Sequence, residues 1–537
     1  MEVFDKELAQ YGIFAKSGKL VTKDNKKILK KEHKIIIDRV EIEEINFQTL
    51  QEAGIKEICI FRSEIKYLYF LKKNTIKIDF KVCNFKNHII ARELYFENEV
   101  IFHQCVFDAV VNFSKTKFDS KIDFLASVFK DEVRFIATQF QAEQNNSKII
   151  ENEFREVIFE GRVSFFNATF KARVCFALSW FKDEVRFIKA QFLAKQSSNR
   201  KIIENDFMEV VFKGKVAFDS IILKARISFS FSTFKDETLF LNINPNNFTF
   251  HNVEFNKINF IHNDDINVVS NAESYVFRNA VFKDALSFEG MEFERLEFDN
   301  VLFNGVVTFS NTKLNTKPQF INCTFSNQFN IEHQYIKYSD KDIENNINNI
   351  QDKNDKFCAL LNLRDLFRKL KSNRIAHHNL IDASELRTQE LYARELELKY
   401  QENKSLREKI ERWQLFFYRK LCDHHTDLLL NAKWLLYIVA LYVLLLGKMI
   451  WVYPVLIIIF LASIYLCKIK NIWLNLSSIT VLIAIVCCPK MIFGFTNLFT
   501  EKLNCWQNLI TTVYVVVIGL VLFSLQKTAR KNSIVPS

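Results

Sequence analysis

From Phe96 onward, aromatic residues fall at 102, 107, 113, 118, 124, 129, 135 and 140, in steps that alternate between six and five. Neither step fits one face of a 3.6-residue helix or the strict two-residue alternation of a half-buried strand. An 11-residue unit occurs in right-handed coiled coils. These units, however, are rich in Val, Thr, Phe and Asn and poor in Leu, a composition for strands rather than helices. The pattern predicts a β-solenoid. Each step is one side of a square coil, one Phe per side points inward, and four sides close a turn of about 22 residues, with turns about 4.8 Å apart. The expected core stack includes Phe118, Phe124, Phe129, Phe135, Phe140, Phe165, Phe170, Phe176, Phe181, Phe187 and Phe192. Ala126, Val128, Ala137, Ala168 and Val174 are expected to fill the space between the rings.

A longer period is laid over this one. FKDEVRFIATQF at Phe129 returns as FKDEVRFIKAQF at Phe181, and FKDE returns at Phe234. Phe140 to Phe154 spans 14 residues where six are expected, and Phe192 to Phe207 spans 15. Without those excesses of eight and nine, each copy is two full coils. The repeat therefore reads as a pair of coils with one loop inserted at the same corner, and the two loops should project from one face, two coils apart. The loops hold NNSKIIEN (145–152) and SNRKIIEN (198–205), and Asn145, Lys148, Glu151, Asn199, Lys201 and Glu204 are the candidate interaction residues. A third irregular stretch, IHNDDINVVSNAESY (261–275), precedes resumption of the pattern at Phe277, which runs to about Ile331.

FNATFKARVCF (166–176) and FKDALSFEGMEF (282–293) resemble the Phe-centred form of the pentapeptide-repeat family. The resemblance covers roughly residues 80–335 and implies a right-handed quadrilateral β-helix. The chain departs from the family pattern in carrying Lys, Arg and Glu where Gly, Asp and Asn are common. About ten coils are expected, a rod close to 50 Å long at about 4.8 Å per coil. Residues 1–79 lack the Phe clock and are expected to cap the first coil, since an open β edge invites association.

After Lys433 the pattern changes to long apolar runs: 434–453, 452–467, 472–488 and 506–525. Four such runs with almost no charge inside them predict a transmembrane domain over 432–527. Basic residues flank the first run, the 468–470 connection and the end of the fourth, which places both termini in the cytoplasm. Between solenoid and membrane, residues 350–430 read as a helical stem. DKFCALLNLRDLFRKLKSN (355–373) is amphipathic, and DASELRTQELYARELELKYQEN (382–403) is a second helix. LREKIERWQLFFYRKL (406–421) is basic with clustered aromatics, which suits a membrane surface and equally suits packing on the first span. A stem of this kind followed by terminal spans resembles the membrane-anchored branch of the same family. The fold class expected is thus multidomain, β followed by α: the β-helix, the stem, then the transmembrane helices.

The 537 residues include 55 Phe, 10 Gly, 5 Pro and 11 Cys, with a net charge of +11. The cysteines are scattered and fit a reducing compartment rather than a disulfide framework. The opening MEVFDKELAQYGIFAKSGK has no apolar h-region, so no cleavable signal is expected. The positive surplus lies in the first 35 residues and in the juxtamembrane and terminal segments, as for inner-leaflet attraction. Over 91–330 the two signs nearly balance. That disfavours nucleic-acid binding and also disfavours duplex mimicry toward topoisomerases, the role the resemblance implies for some soluble relatives.

Chemistry is sparse. The chain has no GxxxxGK[ST], GxGxxG, GxSxG or HExxH pattern, so no catalytic site and no cofactor is expected. CDHHTD (422–427) is the nearest approach to a metal site, but its ligands are too close in sequence for zinc, and polar residues beside a first span account for it. His377 and His378 read as a loop between helices, and Cys487 and Cys488 as small packing residues. Gly494 stands alone before the last span, with no TxGYGD-like filter of the kind some relatives carry. The reading is a non-enzymatic scaffold or protein-interaction module in a bacterial inner membrane, multi-pass, with a cytosolic β-helix. Its partners would be the lipid bilayer and an unidentified protein. The alternative is a channel or transporter that uses the β-helix for sensing.

Overall fold

The computed structural model describes residues 6–20, 27–31, 33–142, 151–194, 204–243, 247–263, 273–446, 472–487, 492 and 504–529. They form two compact units, Met1–Ile336 and Lys337–Ser537.

The first unit is a β-solenoid of about 12 turns over residues 34–331. Its strands pair in parallel with the same side of the next coil. Ile89 pairs Val111 and Val111 pairs Val133, a turn of 22 residues. Asp123 pairs Glu153 and Cys175 pairs Asp206, turns of 30 and 31 residues. The excess of eight and nine falls on the same corner, two coils apart. The inserted segments themselves, 143–150 and 195–203, lie outside the described residues.

All eleven Phe residues of the expected stack are buried. They belong to four columns. One column runs unbroken from Phe85 through Phe107, Phe129, Phe159, Phe181, Phe212, Phe234, Phe255, Phe282 and Phe303 to Phe325, with centroids 4.5–5.7 Å apart and rings tilted by 5–21°. A second runs from Phe113 to Phe309, a third from Phe96 to Phe192, and a fourth from Phe102 to Phe320. Between columns the rings meet edge to face, as Phe107 meets Phe124 at 6.2 Å and 70°. Both geometries suit the ring quadrupole.

The two step lengths are two kinds of corner. In the five-residue corner the second residue after Phe is left-handed, as at Gln104 (φ 53°), Ala126 (55°) and Glu156 (59°). That turn aims its N–H at the next coil: Gln104 N donates to Leu125 O at 2.8 Å and Ala126 N to Arg155 O at 2.9 Å. The residue after it points inward. Ser127 donates to Phe102 O at 2.6 Å and accepts from Cys105 N at 3.0 Å, and Ser179 and Ser232 repeat this link. Ala168 and Val174 lie in the core as expected, but Ala126, Val128 and Ala137 do not. Ala126 and Ala137 are the left-handed corner residues, and Val128 precedes a Phe on a strand, so it faces out. Ser127 and Thr138 take the interior places, their hydroxyls bonded across the coils.

The six-residue corner explains the repeated words. FKDEV (129–133) stacks on FEGRV (159–163), then FKDEV (181–185), then FKGKV (212–216). A Cβ on Gly161 would sit 2.6 Å from the carbonyl carbon of Asp131, and one on Gly214 2.4 Å from that of Asp183. The wide Asp corner and the Gly corner alternate because the close approach of the backbones leaves no room for a side chain on the second.

The coils begin earlier than residue 80. Strand β3 (Lys34–Asp38) pairs in parallel with β5 (Glu57–Phe61), and β4 (Val40–Asn46) with Glu64–Tyr69. Their interior is Ile35, Ile37, Ile42, Ile45, Ile58, Ile60 and Ile65, so a clock of Phe residues cannot register them. The expected cap over 1–79 is confined to the segment before these coils. Strands β1 (Ile13–Leu20) and β2 (Lys27–Lys31) run antiparallel to β4 and β3 and cover their open edges.

In the second unit, helices α1 (Asp340–Asn348), α2 (Lys353–Ala376), α3 (Leu380–Tyr400) and α4 (Leu406–Cys422) form the stem. Leu360, Leu366, Phe367 and Leu370 supply the buried face of α2. Then follow α5 (Leu428–Leu446), α6 (Ile472–Cys487) and α7 (Cys505–Ala529). Among the described residues α5 and α7 are long and apolar enough to cross a membrane. Helix α6 has 16 residues, ~24 Å at 1.5 Å per residue, short of the ~30 Å hydrocarbon core. The expected span at 452–467 lies outside the described residues.

Candidate interaction surfaces

Stacking places every 22nd residue in one line, and on one face of the solenoid that line alternates in charge. It reads Lys34, Glu57, Lys77, Glu99, Lys121, Glu151, Arg173, Glu204, Arg226. Ion pairs join Lys34 to Glu57 at 2.9 Å, Lys77 to Glu99 at 2.7 Å and Arg173 to Glu151 at 3.3 Å. The adjoining line is partly buried and carries Asp79, Asp123, Glu153 and Asp206, with Ile101 and Cys175 interposed. Burial pushes the Glu153 carboxyl above the usual carboxylate range. Burial would do the same to Asp123, but hydrogen bonds from His103, at 3.0 Å, and Lys121, at 2.7 Å, hold it below. The face is a lattice of both signs. Its signature is present in the sequence, but only once the loop insertions are subtracted does the 22-residue alternation line up.

Of the six loop candidates, Asn145, Lys148, Asn199 and Lys201 lie outside the described residues. Glu151 and Glu204 are the points where the chain re-enters the coil. Arg173, on the coil between them, holds both ends: its guanidinium pairs with Glu151, donates from Nε to Glu204 O at 2.7 Å, and reaches Asp206 at 3.2 Å.

A different surface lies along the five-residue corner. On three successive coils Leu178, Trp180, Met208 and Phe231 are exposed by 38–54%. Leu178 and Phe231 are both left-handed, at φ 61°. A bulky side chain in that conformation costs roughly 1–2 kcal/mol. Farther along the same corner the position is Asn252, Asn279, Asn300 and Asn322, a residue that tolerates it. Composition alone could not single out this patch, because it depends on which Phe and Leu residues are out of step with the clock.

In the helical unit, α5 and α7 run antiparallel. Asn431 donates to Ser524 at 2.9 Å near one end, and Tyr442 donates to Thr511 at 3.3 Å toward the other, with the Tyr442 and Tyr514 rings stacked. Such pairs satisfy polar groups that lipid cannot. At the CDHHTD segment the Cys422 thiol lies 3.5 Å from His425 Nδ1 and accepts from Ser524 Oγ at 3.1 Å. Burial holds the His424 and His425 imidazoles down to about 4, so both are neutral at pH 7. No group of three or more His, Cys, Asp and Glu side chains that could hold a metal occurs among the described residues. The described cysteines are all free.

No family model, curated protein or solved structure matches this chain. The fold therefore rests on its own geometry: a solenoid with Phe about every five residues, consistent with a pentapeptide-repeat fold, joined to apolar helices, as in a membrane-anchored repeat protein.

Proposed function

We propose that the chain is a membrane-anchored pentapeptide-repeat scaffold that captures a protein partner on its solenoid and performs no chemistry itself. The observation that carries this reading is the strained apolar corner at Leu178, Trp180, Met208 and Phe231. A folding role does not call for bulky side chains in left-handed backbone facing water. A recognition role does, because aromatic and large aliphatic side chains anchor interfaces. The mixed-sign lattice on the neighbouring face favours a protein partner over a duplex mimic. The antiparallel pairing of α5 and α7 supports a multi-pass anchor that returns the chain to its starting side, and the free cysteines support a reducing compartment, which in a bacterium is the cytoplasmic side of the inner membrane. The test is affinity capture of the full chain after cross-linking in the cell, with Leu178→Asn/Phe231→Asn as the comparison. Asn is at ease at both backbones, so the variant should fold and lose the partner. Identical partner sets from a folded variant would overturn the reading. Ion flux from reconstituted vesicles would replace it with the channel alternative.

A further inference from the structure

We propose that α4 lies in the headgroup boundary of an anionic bilayer, with Leu406, Ile410, Trp413 and Phe417 turned to the acyl chains. This rests on the membrane reading of α5 and α7. Spaced four, three and four residues apart, these side chains form one stripe. Leu406 is 77% exposed, Ile410 59% and Trp413 73%, so no part of the described protein covers them. The opposite side of the helix is already engaged. Glu411 accepts both Arg394 nitrogens at 2.9 and 3.1 Å, and Arg419 donates twice to Glu395 at 2.7 and 2.8 Å. Turning the stripe inward would break both of these two-point pairs.

The depth of the helix is set by its last turn. Tyr418, Leu421 and Cys422 pack on Leu435, Ile438, Val517 and Val521 of the two spans, and Trp434 donates to Lys420 O at 2.8 Å. The C-terminus of α4 is thus fixed where α5 begins and α7 ends, which is the edge of the bilayer. The rest of the stripe leaves the spans and stays bare. Charge selects the lipid. Arg407 on one flank, and Lys409, Arg412 and Lys420 on the other, are exposed and make no ion pair among the described residues. The acids of the helix are turned away, Glu408 to Ser405 and Gln401, Glu411 to Arg394. An apolar stripe bordered by unpaired cations fits phospholipid phosphates over acyl chains.

The full chain carrying Trp413→benzoylphenylalanine would be reconstituted into vesicles of phosphatidylcholine alone and of equal parts phosphatidylcholine and phosphatidylglycerol, then irradiated. The expected product is a lipid adduct, several-fold more abundant in the anionic vesicles, and reduced several-fold again by Lys409→Gln/Arg412→Gln. A cross-link to a second protein chain, or no lipid adduct, overturns the proposal, and equal yields in the two vesicle types overturn its anionic part. Alkaline carbonate extraction separates the two readings. A chain released from the vesicles fails as a spanning protein, whereas one that is retained without a lipid adduct fails only in the placement of α4.

Discussion

The solenoid and the helices after it are built from similar apolar material and dispose of it in opposite directions. Phe129 and its column-mates from Phe85 to Phe303 are shut away from water, while Leu429, Val486 and Trp506 in the helical unit are 81%, 80% and 75% exposed. On one face the solenoid's outward residues form a cross-linked lattice of ions. The outward residues of α5 and α7 are largely apolar, and the side-chain hydrogen bonds between the two helices, Asn431 to Ser524 and Tyr442 to Thr511, are buried between them. One unit solves the hydrophobic problem by itself. The other solves it only when a second apolar medium removes that surface from water.

The largest effect that would break this contrast is in the Phe column. Phe159→Ala opens a gap between Phe129 and Phe181 and should cost about 3–5 kcal/mol, read as a lowered thermal midpoint of the detergent-solubilised chain, with the loss confined to the solenoid's transition if the units melt separately. Next comes Gly161→Val, expected to cost about 1–3 kcal/mol because the added atoms meet the Asp131 backbone. In the helical unit a double-mutant cycle on Asn431→Ala and Ser524→Ala should return a coupling of only about 0.6 kcal/mol, measured by unfolding in mixed micelles. A value several times larger would mean that the pair works in a dry site of the soluble kind. Arg173→Ala should leave the midpoint nearly unchanged yet speed protease cleavage within 143–150 and 195–203, since it frees the ends of both loops.

The smallest effect is a matter of pH. Glu153 has its folded-state carboxyl raised by burial, so ionising it opposes folding once the pH exceeds its unfolded value of about 4.5. Glu153→Gln should therefore raise the midpoint by about 1–2 °C at pH 7 and change nothing at pH 4.

How far the sequence could be read depends on which side chain marks the coil. Where Phe marks it, the turn length, the four columns and even the eight- and nine-residue loop insertions follow from counting. Where Ile marks it, as at Ile35, Ile58 and Ile78, the coils are invisible to that count, because Ile is common in any strand. The interior partners of the rings are not legible at Ala126 and Ala137 for a different reason. Small size suits both a core and a left-handed corner, and only the backbone decides. The stem helices declare themselves through periodicity. The bare stripe of α4 does not, since a stripe shows that one face is apolar without showing what covers it.

The alternating line from Lys34 to Arg226 carries a consequence for how the chain can go wrong. If the stack formed one turn out of step, Glu would meet Glu and Lys would meet Lys, and the Asp corners would lose their glycine partners. If it slipped by two turns, both patterns would mate again, and FKDEV (129–133) would stack on FKGKV (212–216), the glycine partner of its twin. Trapped species during refolding should accordingly be displaced by an even number of turns, with the displaced pair of coils looped out as one piece.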